Sequence, residues 1–337
     1  MAQKPTLKPG CFSTKFPSTE WTEIPCSSAP PLPHPLRLGQ GAVSTGGGAG
    51  NSPIVSVPPS HPITSISGFL AQVSGVTSES DPTGAGRWSL QLNANQFNSP
   101  LCGGQAGCSG WQQFIADNPG NVYIQYWLIG HANPCPATPA GFPSGATWQF
   151  FAGAPGQAAG CYINGNQTPG PQQGLDGLQG LRVTGSSSSI SQSSTYEIAN
   201  GFLVSATDAG DPLSIGGNWT QAEFNVFGYA GGTTITFNQG ASIVPGGKPA
   251  AANVDPVAPA PWSELTQGPS ITRLASIAPP AVTSIGLLPS LSFKESPGIT
   301  WDGQFGMLRA KREQFEALSH TSMVWLEPTG APDVATP

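Results

Sequence analysis

The sequence predicts an all-β protein, an antiparallel double-sheet sandwich of jelly-roll or concanavalin-like type. Three observations carry that expectation. Short alternating or aromatic runs recur through the middle of the chain, Gly, Asn and Pro bound them, and no helical period separates one from the next. With 44 Gly and 36 Pro in 337 residues, the chain between those runs must be largely turn and loop.

Residues 1–62, with SSAPPLPHPLRLGQ and STGGGAGNSP, read as an extended Pro/Gly-rich N-terminal extension closed by cysteines. The β-sandwich domain is expected over 63–246. Its strand candidates are ITSISGFLAQVSGVT, RWSLQLNANQF, GWQQFIA, NVYIQYWLIG, LRVTG, TYEIANGFLVSAT, QAEFNVFG and TTITFNQGASIV. A Pro/Gly/Gln insert over 130–180, holding Cys135 and Cys161, interrupts the series. From 247 to 337 a linker-like composition leads to QFGMLRAKREQFEALSH, which predicts a helix near 304–320 with Phe305, Leu308, Phe315 and Leu318 along one face.

Charged residues are only 9% of the chain, against about 25% in ordinary domains. Between Arg87 and Lys248 the one basic residue is Arg182. A chain so poor in ion pairs has few native carboxylate partners to lose in acid, which fits a protein that works at low pH or a neutral, protease-resistant exterior. The net charge of −6 excludes a basic surface able to neutralise a run of phosphates, so nucleic acid is not an expected partner.

Six cysteines fall as Cys11 with Cys26, Cys102 with Cys108 and Cys135 with Cys161; adjacent pairing is the simplest of fifteen connectivities. None has CxxC spacing, so no metal site is expected, and no cofactor. Disulfides place the protein in an oxidising compartment, secreted, periplasmic or on a cell surface, although MAQKPTLKPG has no apolar signal core. No stretch is long and apolar enough for membrane insertion. His34, His61, His131 and His320 read as surface residues, and Asp208 and Asp211 as hairpin-turn caps.

Strand parity then sorts the polar residues. In QAEFNVF, Ala222, Phe224 and Val226 face a core, which leaves Gln221, Glu223 and Asn225 on an open sheet face. In NVYIQYWLI, Tyr123, Gln125 and Trp127 share a face; in GWQQFI, Gln112 and Phe114 oppose Trp111, Gln113 and Ile115. A carboxyl among aromatics and neutral amides is expected to hold its proton more tightly than in water. Beside a glutamine amide it has the parts for acid-assisted amide hydrolysis without a metal or a nucleophilic serine.

Three stretches resemble the eqolisin family of glutamic peptidases, acid-active endopeptidases folded as a double-sheet sandwich. CSGWQQF is similar to the strand that presents the family's catalytic glutamine, VYIQYW to its aromatic strand, and AEFNVFG followed by TTITFNQGASI to its glutamate strand and the strand that closes the sheet. The resemblance spans about 85–245. It implies Glu223 as catalytic glutamate, Gln112 as catalytic glutamine with Gln113 as the alternative register, and Gln125 and Trp127 as positions in the active cleft; strand parity adds Tyr123, Gln221 and Asn225 as substrate-binding positions on the same face. Gln125 stands where the family has a carboxylate. A polypeptide substrate follows. The rival expectations are a secreted sandwich module that binds carbohydrate or protein on the same face, and a structural exoprotein.

Overall fold

The computed structural model describes residues 8–36 and 54–251, save 17, 19, 82–83, 199–200, 230–234 and 240, together with four backbone strands between 274 and 297. The helix expected near 304–320 lies outside the described residues. In chain order the strands are β1 (Gly10–Lys15), β2 (Thr22–Ile24), β3 (Ile54–Ser56), β4 (Ile63–Ser74), β5 (Glu79–Asp81), β6 (Gly84–Ala85) and β7 (Trp88–Ala94). The central hairpin is β8 (Ser109–Asp117) and β9 (Asn121–Ile129). Next come β10 (Gln149–Phe151), β11 (Gly160–Asn164), β12 (Thr168–Pro169), β13 (Arg182–Ser187), β14 (Ser191–Glu197), β15 (Phe202–Ala209), β16 (Gln221–Gly228) and β17 (Thr236–Phe237). The series closes with β18 (Ser242–Ala251), β19 (Leu274–Ser276), β20 (Ala281–Ile285), β21 (Leu288–Ser292) and β22 (Glu295–Pro297).

These strands form the expected all-β sandwich. One sheet runs β10-β11-β9-β8-β7-β16-β3; the facing sheet runs β19-β22-β18-β4-β13-β14-β15-β1-β2, and β17-β5-β6 forms a small third sheet. The pairings are antiparallel throughout, from β7–β8 and β8–β9 to β16–β7. Two-residue alternation decides what enters the core. Leu90 and Leu92 from β7, Phe114 from β8, Ile124 and Tyr126 from β9 and Phe224 and Val226 from β16 point inward. They meet Ile66, Leu70, Val183, Tyr196 and Val204 of the other sheet. Two of the inner aromatics approach glycine on the facing sheet, Phe224 over Gly68 and Phe114 over Gly185, where any Cβ would clash.

Two boundaries differ from the sequence reading. The N-terminal 62 residues are not merely an extension: β1 pairs with β15, and β3 pairs with β16 beside Glu223. The insert over 130–180 supplies β10, β11 and β12, which widen the first sheet beyond β9. Pro and Gly content hid both, because short strands at a sheet margin tolerate these residues where a central strand does not. The cysteines pair as neighbours, Cys11–Cys26, Cys102–Cys108 and Cys135–Cys161, and each closes a local loop. Such bridges suit an oxidising compartment.

The close approaches make a quantitative expectation. A methyl added at Gly185 would lie 2.6 Å from the Phe114 ring, whereas nothing lies within 4 Å of one added at Gly217. Gly185→Ala is expected to cost roughly 1–3 kcal/mol by overpacking, and Gly217→Ala to stay within about 0.5 kcal/mol of wild type. Urea denaturation of the two variants separates them; equal midpoints would mean that the sheets can part without penalty.

Candidate active-site face

The register of five adjacent strands builds the site. Glu223 on β16 pairs with Asn93 on β7, Asn93 with Gln113 on β8, Gln113 with Gln125 on β9, and Gln125 with Asn164 on β11. Residues directly opposite one another in neighbouring strands share a face. One carboxyl and four carboxamides therefore cross the sheet in a single row, on the side away from the hydrophobic core. Glu223 and Gln113 stand two strands apart, about 10 Å between backbones, with Asn93 between them.

Parity also decides between the two glutamines. Gln112 lies on the core side with Phe114 and donates through Nε2 to Gln192 Oε1 of the opposite sheet at 3.3 Å. It cannot reach the Glu223 face without passing through the sheet. The expected partner Gln112 is thus corrected to Gln113, the alternative register. A slip of one residue flips a strand side chain to the other face, so two adjacent glutamines are ambiguous until pairing is known.

The open face expected from strand parity is instead covered. Glu223 is 1% exposed, Gln113 1% and Gln125 0%. Part of its cover is the chain's own residues 30–36, PPLPHPL, which cross the face without joining it as a strand. Asn164 Nδ2 donates to Pro30 O at 3.0 Å and Gln125 Nε2 to Leu32 O at 2.9 Å, while His34 N donates to Gln125 Oε1 at 2.7 Å. Leu36 O accepts from Ala158 N at 2.8 Å. Its side chain sits among Trp111, Trp127 and Tyr162, with the Trp127 and Tyr162 rings stacked at 5.0 Å.

His34 is the hub of this cover. Its ring nitrogens lie 3.1 Å from Tyr123 Oη (Nε2) and from Gln91 Nε2 (Nδ1). Gln91 donates from Nε2 also to Ser89 Oγ, and its Oε1 accepts from Gln113 Nε2 at 3.0 Å. An amide NH2 facing Nδ1 makes Nδ1 the acceptor and Nε2–H the donor to Tyr123. Gln113 Nε2 donates in addition to Asn93 Oδ1 at 3.1 Å. Both of its protons are thereby occupied, and the buried Gln113 Oε1 has no hydrogen-bond partner among the described residues. The open atom of Gln113 is an acceptor.

Of the remaining sequence-stated positions, Tyr123 and Trp127 lie on the face, the latter donating through Nε1 to Gln125 Oε1. Gln221 is at the entry of β16, its backbone N–H held by Asn95 Oδ1. Asn225 pairs in register with Gln91; its side chain is outside the described set. Sequence reasoning missed His34 and Asp117. Neither His34 nor His131 is a surface residue, being 1% and 5% exposed; a lone His between prolines gives no periodic signal. Asp117 carried one, since it has the parity of Gln113 on β8. Asp208 is no turn cap either: it is buried in β15 and accepts from Tyr126 Oη and the Asn166 N–H. Asp211 does cap a turn, through the N–H groups of Ile215 and Gly216. Among the described residues no group of His, Cys, Asp and Glu could hold a metal ion.

Comparison of the chain with family models, with curated proteins and with solved structures finds no match.

Burial pushes the Asp117 carboxyl up to about 6, against the opposing pull of the Asn121 side chain and N–H. Burial pushes the His34 imidazole down to about 4. The two act in opposite directions on stability. As pH falls from 6.5 towards 4, the unfolded chain protonates His34 first and stability is lost. As pH falls from 6 towards 3.8, the folded protein protonates Asp117 first and stability is gained. Each effect is about 3 kcal/mol, so they nearly cancel. Burial raises the Glu79 and Asp211 carboxyls as well, which adds stability on acidification, so the two groups are read as differences from wild type. Relative to wild type, Asp117→Asn should lose stability on acidification and His34→Gln should gain it. Denaturant midpoints at four pH values measure these slopes, and parallel slopes in all three proteins would refute the assignment.

Proposed function

We propose that this chain is an acid-acting endopeptidase of the glutamic kind, exported to an oxidising compartment, with Glu223 as general base and acid and Gln113 as its amide partner. The observation that carries the reading is the single row in which Glu223 and Gln113 flank Asn93 on one buried face. The resemblance of CSGWQQF, VYIQYW and AEFNVFG to eqolisin motifs supports it independently.

In this mechanism the Glu223 carboxylate takes a proton from a water held by the open Gln113 Oε1. The water oxygen attacks the peptide carbonyl carbon, and the developing oxyanion needs an amide NH2 as donor. The Gln113 NH2 becomes available when Gln91 or Asn93 lets go of it. Glu223 returns the proton to the peptide nitrogen, the C–N bond breaks, and a carboxylic acid and an amine leave.

Residues 30–36 stand in the way, so the described state is latent. Acid loosens it. His34 needs an unprotonated Nδ1 to accept from Gln91, and the groups hydrogen-bonded to its ring are neutral: Gln91 on β7 and Tyr123 on β9. Burial, with Asp117 beyond it, keeps Tyr123 in its phenol form. A protonated ring would turn an N–H towards an NH2, with no anion hydrogen-bonded to it, and the cover would lose its anchor. A polypeptide-binding module is the second reading, favoured by the same seated segment; it needs no proton transfer.

Full-length protein held between about pH 2 and 5 and then given a denatured protein is expected to cleave it. Glu223→Gln and Gln113→Leu should each lower the rate by about 10²-fold or more, while Gln112→Leu keeps most of it. Product peptides are counted by mass spectrometry. Undiminished cleavage by Glu223→Gln, or none by wild type after acid treatment, favours the binding module.

A further inference from the structure

We infer that the amide face is built to read extended polypeptide carrying proline at alternate positions, and that residues 30–36 are a tethered example of that ligand. The inference rests on the reading of this face as a polypeptide site and adds which polypeptides it takes.

The hydrogen bonds follow a period of two along the segment. Asn164 and Gln125 contact the carbonyls of Pro30 and Leu32, Gln125 takes the N–H of His34, and Ala158 N donates to the carbonyl of Leu36. Every residue read is even-numbered. The odd positions are Pro31, Pro33 and Pro35, which have no N–H to satisfy. Proline at those positions therefore strands no donor, and its fixed φ holds the chain extended before it binds, lowering the entropy lost on docking.

The mode of contact separates this from ordinary packing of a loop on a sheet. The groups that read the segment are mainly carboxamides on the sheet face, not the backbone of a neighbouring strand. A Gln that donates to one carbonyl and accepts from an N–H two residues on recognises main chain, whatever the side chains are. Two places then add side-chain preference. His34 sits between Tyr123 Oη and Gln91, a polar slot for a ring with one donor and one acceptor. Leu36 enters the apolar cage of Trp111, Trp127 and Tyr162. The motif is x-Pro-His-Pro-Leu in extended form.

The segment is also held so that it can be exchanged. It begins just after the Cys11–Cys26 bridge and the Ser27–Gln167 bridge, which fix its start independently of the face. Losing the contacts of 32–36 leaves β1, β2 and the disulfide in place.

The test uses full-length protein in the Glu223→Gln background, so that peptide is not consumed and binding is read apart from cleavage. A fluorescent peptide APPLPHPL, equivalent to residues 29–36, is titrated at neutral pH and followed by anisotropy. Two further substitutions unseat the tethered copy by placing a carboxylate in a buried slot: His34→Asp and, separately, Leu36→Asp. The peptide should bind either unseated protein at least tenfold more tightly than the protein with its own segment seated. The same peptide with alanine at every proline should bind at least tenfold more weakly. Gln125→Leu added to an unseated protein should abolish saturation. Equal binding of the proline and alanine peptides overturns the inference. So does absence of saturable binding by whichever unseated variant keeps its three disulfides and native near-ultraviolet dichroism. Failure of acid cleavage with these binding results intact would remove the peptidase reading and leave this one standing.

Discussion

Buried carboxamides must find partners, and that requirement organises this protein. A row of Asn and Gln across four strands offers more donors and acceptors than a sheet face can satisfy by itself, because the backbone groups beside them are already spent on the ladder. Each unmade bond costs about 1–3 kcal/mol. The structure meets the demand with a network, from Asn93 through Gln113 and Gln91 to His34 and Tyr123, and from Trp127 through Gln125 to Asn164. Residues 30–36 are the outer layer of it. The main-chain groups of Pro30, Leu32 and His34 supply part of what those amides need.

The near absence of charge follows the same logic. Neutral amides can be buried in acid and at neutral pH alike, since none of them titrates. Two of the groups that titrate on the face, Asp117 and His34, are displaced by burial in opposite directions. Their linkage terms offset each other over the range where a protein working in acid would be exposed to unfolding. Stability is thus separated from the local event at His34. On the proposed reading, protonation there would unseat the segment and leave the sandwich beneath it folded, because the core between the sheets contains other residues entirely.

Much of this was legible in particular residues. Phe224 and Val226 alternating with Glu223, and Tyr123, Gln125 and Trp127 alternating with Ile124 and Tyr126, announced which side chains share a surface, and both assignments hold in the structure. The cysteine pairing followed from proximity in sequence. Other features had no local signature. Gln112 and Gln113 are equally good candidates until β7 and β9 are placed beside β8. His34 and Leu36 lie in a stretch whose prolines suggest only an extended chain, and their partners are 57 and 89 residues away for His34.

The sequence by itself determined an all-β, disulfide-bonded, charge-poor sandwich with an amide and aromatic face, because side-chain alternation and turn residues are local properties of the backbone. Only the tertiary structure decided which glutamine shares a face with the acid, that the N-terminal residues enter both sheets, and that residues 30–36 cover the face. The physical reason is that strand register and the docking of a segment without periodicity are set by contacts between distant parts of the chain, where a shift of one residue exchanges the two faces of a strand.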